Sequence, residues 1–232
     1  MLFRSKDIQS NQQEKEYSMQ YPKVSIIIPY SKDRGWLNEA IESVKNQSYS
    51  NIELILSQSN RTVGYNINRG IEKSTGEYVK YLCDDDRLTE WSTQVSVEAM
   101  EGNDFIHGNS LVFNDKKTSI YIPDIKYPTL PHMIERNRIH GGTLMYRRDV
   151  FDRVGMFDES LDCAEEYEFN LRCLSKGLKL GYCPTFLYEY RRHETQKSLG
   201  NLSEEYQEVR RKKIQLIKDK YESSNRPSPS RT

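Results

Sequence analysis

The stretch Glu77-Tyr78-Val79-Lys80-Tyr81-Leu82-Cys83-Asp84-Asp85-Asp86 runs a strand-like segment straight into three consecutive carboxylates. Residues 77–82 mix aromatic and β-branched positions and predict a strand. In open α/β sheets, ligands bind beyond the carboxyl ends of the strands. Three adjacent carboxylates there repel one another, and a bound cation relieves the cost. Hard oxygen ligands suit Mg²⁺ or Mn²⁺, which keep positions open for phosphate oxygens. Such an ion neutralises a departing diphosphate. The competing reading is a solvated acidic turn that caps a helix near Thr89.

Toward the N-terminus, residues 24–28 (VSIII) form an apolar run closed by Pro29, which predicts a buried parallel strand. Leu37, Ala40, Ile41 and Val44 recur at helical spacing within 36–47. Residues 52–56 (IELIL) predict a second strand, and 64–74 a helix ended by Thr75-Gly76. Strand–helix–strand–helix–strand is a doubly wound pattern, so an α/β domain with a central mixed, mainly parallel sheet is expected.

Toward the C-terminus the pattern loosens. Strand-like pieces lie in 104–122 and 143–147. Residues 123–139, with three prolines, predict a long loop. A helix is expected over 163–176, stopped by Gly177, then strand character over 178–191 and a charged helix over 201–221. Residues 1–21 read as a flexible arm and 222–232 as a disordered tail. The domain between them, 22–200, divides into halves at 22–110 and 111–200.

Composition narrows the function. The 232 residues carry 34 Lys+Arg and 34 Asp+Glu, and this zero balance argues against a dedicated nucleic-acid binder. Sixteen tyrosines suit a sugar-binding cleft as well as an ordinary core. Cys83, Cys163, Cys173 and Cys183 form no C-x-x-C pair, which speaks against zinc and for a reduced, cytoplasmic setting. No run reaches membrane-spanning length, and the first residues lack the apolar core of a signal peptide. Arg210-Arg211-Lys212-Lys213, with Ile214, Leu216 and Ile217, reads as a helix packed on the domain, or at most as a peripheral contact with an anionic membrane. Trp36 and Trp91, each near a helix start, read as core rather than as sugar platforms.

Five segments in order resemble the family-two inverting glycosyltransferases. These are Val24 to Pro29; Glu42-Ser43-Val44-Lys45-Asn46-Gln47 through Ile52-Glu53; Gly64 to Gly70 with Gly76-Glu77-Tyr78; the acidic cluster; and Gly142-Thr143 to Val154-Gly155-Met156-Phe157-Asp158-Glu159. The likeness runs from about Val24 to about His193. It implies a GT-A fold, the nucleotide-diphospho-sugar transferase type, in a single domain with a donor half at 22–110 and an acceptor half at 111–200. It also implies metal-dependent, inverting transfer from a nucleoside-diphosphate sugar, with a UDP-sugar favoured, to a hydroxyl of a glycan or other acceptor.

The same resemblance assigns site residues. The metal-binding carboxylate of the family's DxD-type motif falls on Asp85, with Asp86 beside it. The motif's first Asp falls on Cys83, and Asp84 sits at its variable position near the ribose. The catalytic base falls on Glu166, within Glu165-Glu166-Tyr167-Glu168, where the family usually has Asp. An inverting transfer needs such a carboxylate to take the acceptor hydroxyl proton. Asp162 and Glu165 also have capping-box spacing, an alternative reading of these acids. Tyr190-Arg191-Arg192-His193 resembles the closing motif, with Arg191 toward the diphosphate and His193 toward the metal. Pro29, Tyr30, Gln58 and Asn68 fall at nucleotide-binding positions, and His140-Gly141-Gly142-Thr143 reads as an acceptor-side segment or a plain turn.

Three departures, Cys83, Gln58 and Ile67, motivate a second reading: a catalytically degenerate relative that binds nucleotide or glycan. A nucleotidyltransferase would also use strand-end carboxylates, but the triphosphate loop it needs after the first strand is missing. A scaffold built around the terminal arms is the remaining alternative.

Overall fold

The computed structural model describes residues 21–194, 196 and 203–224. The expected arm at 1–20 and tail beyond 224 lie outside them. Strand β1 (Val24–Tyr30) is buried along nearly its whole length. Successive side chains of a strand point to opposite faces, and β1 feeds two cores accordingly. Ile27 joins one cluster, with Ile67 and Ile71. Val24, Ile26 and Ile28 join the other, with Ala40 and Val44. A strand apolar on both faces belongs in the interior of a sheet covered on both sides.

Among the described residues, eight strands form one sheet. After β1 come β2 (Ile52–Gln58), β3 (Tyr78–Tyr81), β4 (Arg87–Leu88), β5 (Phe105–Phe113), β6 (Thr118–Tyr121), β7 (Met145–Arg147) and β8 (Leu180–Arg191). The order is β2-β1-β3-β7-β5-β8-β4, with β6 beside β5. β1 is parallel to β2 and β3, and β5 is parallel to β8. The antiparallel pairings of β3 with β7, β5 with β7 and β6, and β4 with β8 are short. The sheet is therefore mixed, and parallel along most of its registered length. The 110/111 division falls inside β5, so the donor and acceptor halves share one sheet.

Helices α1 (Leu37–Lys45) and α3 (Ser92–Ala99) cover one face. Helices α2 (Val63–Lys73), α5 (Asp149–Val154) and α6 (Glu165–Ser175) cover the other. The core there is aromatic: the rings of Phe157 and Phe169 stack at 4.4 Å, with Tyr146 edge-on to Phe169.

Two expectations need correction. Residues 123–139 are not all loop: Leu130–Glu135 is a helix, α4. Pro131 sits in its first turn, where a missing N–H costs nothing. His132 Nδ1 accepts the Thr129 N–H at 3.3 Å, and Met133 and Ile134 are buried. The C-terminal helix α7 (Glu204–Ser224) also runs past 221.

Helix α7 packs on the domain through Ile217 and Tyr221, with Lys213 on Asp162 at 2.7 Å. Among the described residues no helix is long and apolar enough to cross a membrane. Buried Glu168 on α6 holds α7 in place. It accepts Tyr221 Oη at 2.6 Å and Lys220 Nζ at 3.0 Å, and pairs with Arg172 at 2.7 Å. Glu168→Ala strands these donors and should cost about 3 kcal/mol in urea unfolding.

Lys80 on β3 is fully buried. Its ammonium donates to Gly142 O at 3.2 Å and Leu144 O at 3.3 Å, tying the strand to the turn beside β7. Burial pushes its pKa down to about 7. Between that value and the ordinary lysine range the unfolded chain binds more protons, so this group makes stability rise with pH. Lys80→Met should lose that increment. The stability gap between wild type and variant, measured by urea unfolding at a series of pH values, should widen as pH rises above 7.

Candidate active site

The acidic cluster forms the turn between β3 and β4, closed by Asp86 N–H on Cys83 O at 3.2 Å. It caps no helix: β4 intervenes, and α3 starts only at Ser92 behind Trp91. The turn folds the ligating atoms of Cys83, Asp85 and Asp86 to within 4.8 Å of one another. Asp85 is 8% exposed and Asp86 only 2%. Burial, together with the neighbouring Asp85 charge, pushes the Asp86 carboxyl well above the usual range. Burial also raises Asp84, against the pull of Arg34.

Donors surround these acids. Tyr188 Oη donates to Asp86 Oδ2 at 2.7 Å, and Arg191 N–H to Asp86 Oδ1 at 2.7 Å. Arg191 Nε donates to Asp85 O at 2.9 Å, while its Nη2 pairs with Glu39 at 2.6 Å. His193 Nε2 lies 2.9 Å from Asp85 Oδ2. Arg34 Nη2 reaches Asp84 Oδ1 at 2.9 Å and Asp85 Oδ2 at 3.0 Å. Each carboxylate keeps lone pairs beyond those already engaged. Two carboxylates and a nearby imidazole are donor types that a hard divalent ion accepts, whereas the Cys83 thiol, which burial keeps protonated, is a soft ligand that such an ion does not favour.

On the far wall, Glu166 stands in the first turn of α6. Ala164, just before the helix, has φ 59° and ψ 23°. It is the one non-glycine residue in the left-handed region among the described residues. That kink directs the helix start at the cleft. Burial raises the Glu166 carboxyl above the usual glutamate range, while its own and the Tyr167 N–H and the Arg210 charge pull it back. Asp162 and Glu165 form no capping box, because α6 has no side-chain cap and Asp162 is bound to Lys213.

Between these walls lies a cleft of about 520 Å³. Asp84, Asp85 and Asp86 form its carboxylate floor, and Pro29, Tyr30, Gly141 and Glu166 also line it. Gly141 is required there: a Cβ would fall 2.7 Å from Tyr81 Oη and 2.8 Å from Glu166 Cγ. Gly142 lies against the Tyr188 ring, where a Cβ would come within 2.2 Å. Gly141–Thr143 is thus a single 3-10 turn whose two glycines line the cleft. His140 faces Tyr190 edge-on at 4.8 Å, and burial drives its pKa down to about 4.

The structure brings Asp84, Asp85, Asp86, Arg191 and His193 together, with Glu166, Pro29 and Tyr30 on the same cleft. Arg191 and His193 reach the carboxylates from outside its lining. Asn68 does not reach it. Its amide holds Phe157 O and Glu159, both at 2.9 Å, and accepts the Phe157 N–H at 3.0 Å. At about 100° per residue, Asn66 lies on the opposite side of α2 and lines the cleft instead. Gln58 is exposed outside the lining and donates to Ser31 O at 3.3 Å. The tryptophans are not core. Trp91 is 55% exposed, and half-buried Trp36 lies against the His193 ring, with centroids 4.5 Å apart and the planes tilted by 37°. Sequence reasoning missed Arg34, Asn66, Tyr81 and Tyr188. Arg34 lies outside any periodic pattern, and the three others read as ordinary positions of their elements.

No protein-family profile matches the chain. It is 26% identical to an uncharacterised glycosyltransferase of Rickettsia felis, over 83% of this chain and 38% of the relative. It is also 26% identical to the uncharacterised glycosyltransferase EpsJ of Bacillus subtilis, over 73% of this chain and 61% of that protein. Against the Campylobacter jejuni GalNAc(5)-diNAcBac-PP-undecaprenol beta-1,3-glucosyltransferase it is 28% identical over 39% of each chain. The chain spans 38% to 57% of the length of several Rickettsia relatives. Among solved structures, residues 1–349 of Staphylococcus aureus TarS in complex with UDP-GlcNAc superpose with a TM-score of 0.64. That match has 17% identity and covers 86% of this chain and 70% of the other. By sequence the chain is similar to curated glycosyltransferases, and its fold is similar to the GT-A-like fold of TarS.

Proposed function

We propose that this domain transfers a sugar from a nucleoside-diphosphate sugar to a hydroxyl of a glycan or other acceptor, with metal dependence and inversion. The observation that carries the reading is the placement of the strand-end carboxylates and Glu166 on one cleft. The TarS complexes with UDP-GlcNAc and with UDP support a UDP-sugar as donor. The Campylobacter relative's name supports a glycan acceptor. Four free cysteines fit a reducing, cytoplasmic setting.

Asp85 and Asp86, with His193 beside them, would hold Mn²⁺ or Mg²⁺. When bound, that ion supplies positive charge for the leaving diphosphate. Tyr188 and the Arg191 N–H hold Asp86 in position. Pro29 and Tyr30 are assigned to the nucleotide end, with Gln58 at its rim. Asn68 acts there only indirectly, by fixing the 157–159 loop. Glu166 takes the acceptor hydroxyl proton as that oxygen bonds to the anomeric carbon. The bond to the diphosphate breaks on the opposite face, and the electron pair leaves with the phosphate. The second reading, a binding relative without turnover, is favoured by Cys83 standing where a carboxylate ligand is usual.

Glu166→Gln should leave Mn²⁺–UDP binding unchanged in a thermal-shift assay and lower sugar transfer at least about a hundredfold. Wild-type turnover in the variant would remove Glu166 from the mechanism. Donor binding without turnover in the wild-type protein would favour the second reading. A base must be ionised to act, so kcat should fall as pH drops through the Glu166 pKa. Since burial raises that pKa, the acidic limb should lie above the ordinary glutamate range. A limb at or below that range would contradict the assignment.

A further inference from the structure

Arg34 belongs to no motif that the proposed function uses, yet it forms ion pairs with two acids of the carboxylate floor. It stands in the exposed connection between β1 and α1. A single nitrogen, Nη2, lies 2.9 Å from Asp84 Oδ1 and 3.0 Å from Asp85 Oδ2. Asp85 Oδ2 is also the oxygen that His193 contacts. The guanidinium lies 5.8 Å from the Trp36 ring and lines the cleft.

We infer that Arg34 is a movable counter-ion: it neutralises Asp84 and Asp85 until a divalent cation takes Asp85, and then clamps the donor diphosphate. This rests on the metal-dependent transferase reading. A cation coordinated by Asp85 Oδ2 cannot share that oxygen with a guanidinium nitrogen 3.0 Å away without strong like-charge repulsion. The arginine has to move, and its loop allows it. Gly35 has φ +96°, an added Cβ there would meet nothing within 4 Å, and Asp33 Oδ1 takes the Gly35 N–H at 2.7 Å in a local turn. The freed fork faces the floor where a diphosphate would lie, and guanidinium matches phosphate oxygens two at a time. The arrangement couples two ligands. Cation alone binds against Arg34, whereas cation with diphosphate recruits it, so each ligand strengthens the other.

The test is a Mn²⁺ titration followed by the electron paramagnetic resonance signal of the free ion. It uses wild type, Arg34→Gln, Arg34→Lys and Asp85→Asn, each with and without UDP. Thermal melts of the variants verify that the exposed loop change leaves the fold intact. Arg34→Gln should bind Mn²⁺ alone about fivefold more tightly, the scale of a part-exposed ion pair. It should also lose most of the enhancement that UDP gives wild type. Arg34→Lys, with one ammonium in place of a fork, should fall between. Mn²⁺ affinity unchanged or weakened in Arg34→Gln, with binding still dependent on Asp85, would overturn this inference and leave the transferase reading standing. Absence of Asp85-dependent Mn²⁺ binding in wild type, with and without UDP, would overturn both.

Discussion

Three carboxylates in one tight turn at the end of β3 are the constraint around which the cleft is organised. Unpaired acids that little exposed would be costly, and the fold supplies each with donors. Asp86 has a tyrosine hydroxyl and a backbone N–H. Asp85 has an imidazole and a guanidinium. Asp84 shares that guanidinium. The donors come from opposite ends of the sequence, so the turn holds the N-terminal half against β8.

The sheet topology makes that meeting possible. β8 is the longest strand, and it lies parallel to β5 while pairing with β4 on its other edge. Its last residues therefore pass the acidic turn just ahead of β4. Tyr188 pairs in register with Leu88, and Glu189 with Arg87. Arg191 and His193 follow at the strand end, over the carboxylates. The antiparallel β7 inserts between the two parallel groups and places the Gly141–Thr143 turn opposite the floor, tied down by Lys80.

What was legible in the sequence follows from this geometry. The first half reads correctly because its signal is local: β1 is apolar on both faces, α1 and α2 are periodic, and β3 ends in acids. The carboxylate floor and Glu166 were legible as well, through family likeness. Side-chain direction was not. Asn68 and Asn66 are two residues apart, and no pattern states which of them faces the cleft and which ties down the 157–159 loop. Helix α4 was hidden because Pro131 reads as a loop residue until it is seen to occupy a first turn. Arg34 gave no signal, since an arginine in a polar loop gains its meaning only from the two aspartates that folding brings to it.

Glu166 shows the same balance on the opposite wall. The base proposed for this reaction has to be buried enough to gain basicity yet still able to ionise, and opposing influences act on this carboxyl. Burial lifts its carboxyl, while the N–H groups of the same helix turn, with Arg210 from α7, restrain the rise. Holding the carboxylate over those N–H groups requires the chain to enter α6 abruptly, and the left-handed Ala164 makes that entry. Such a conformation costs an alanine about 1–2 kcal/mol. The cost is sustained by packing farther along the helix, where Phe169 stacks on Phe157 and Glu168 binds Arg172, Lys220 and Tyr221. Helix α7 is thus part of the site's support: it secures Glu168, and through α6 it fixes the direction from which Glu166 faces the acids across the cleft.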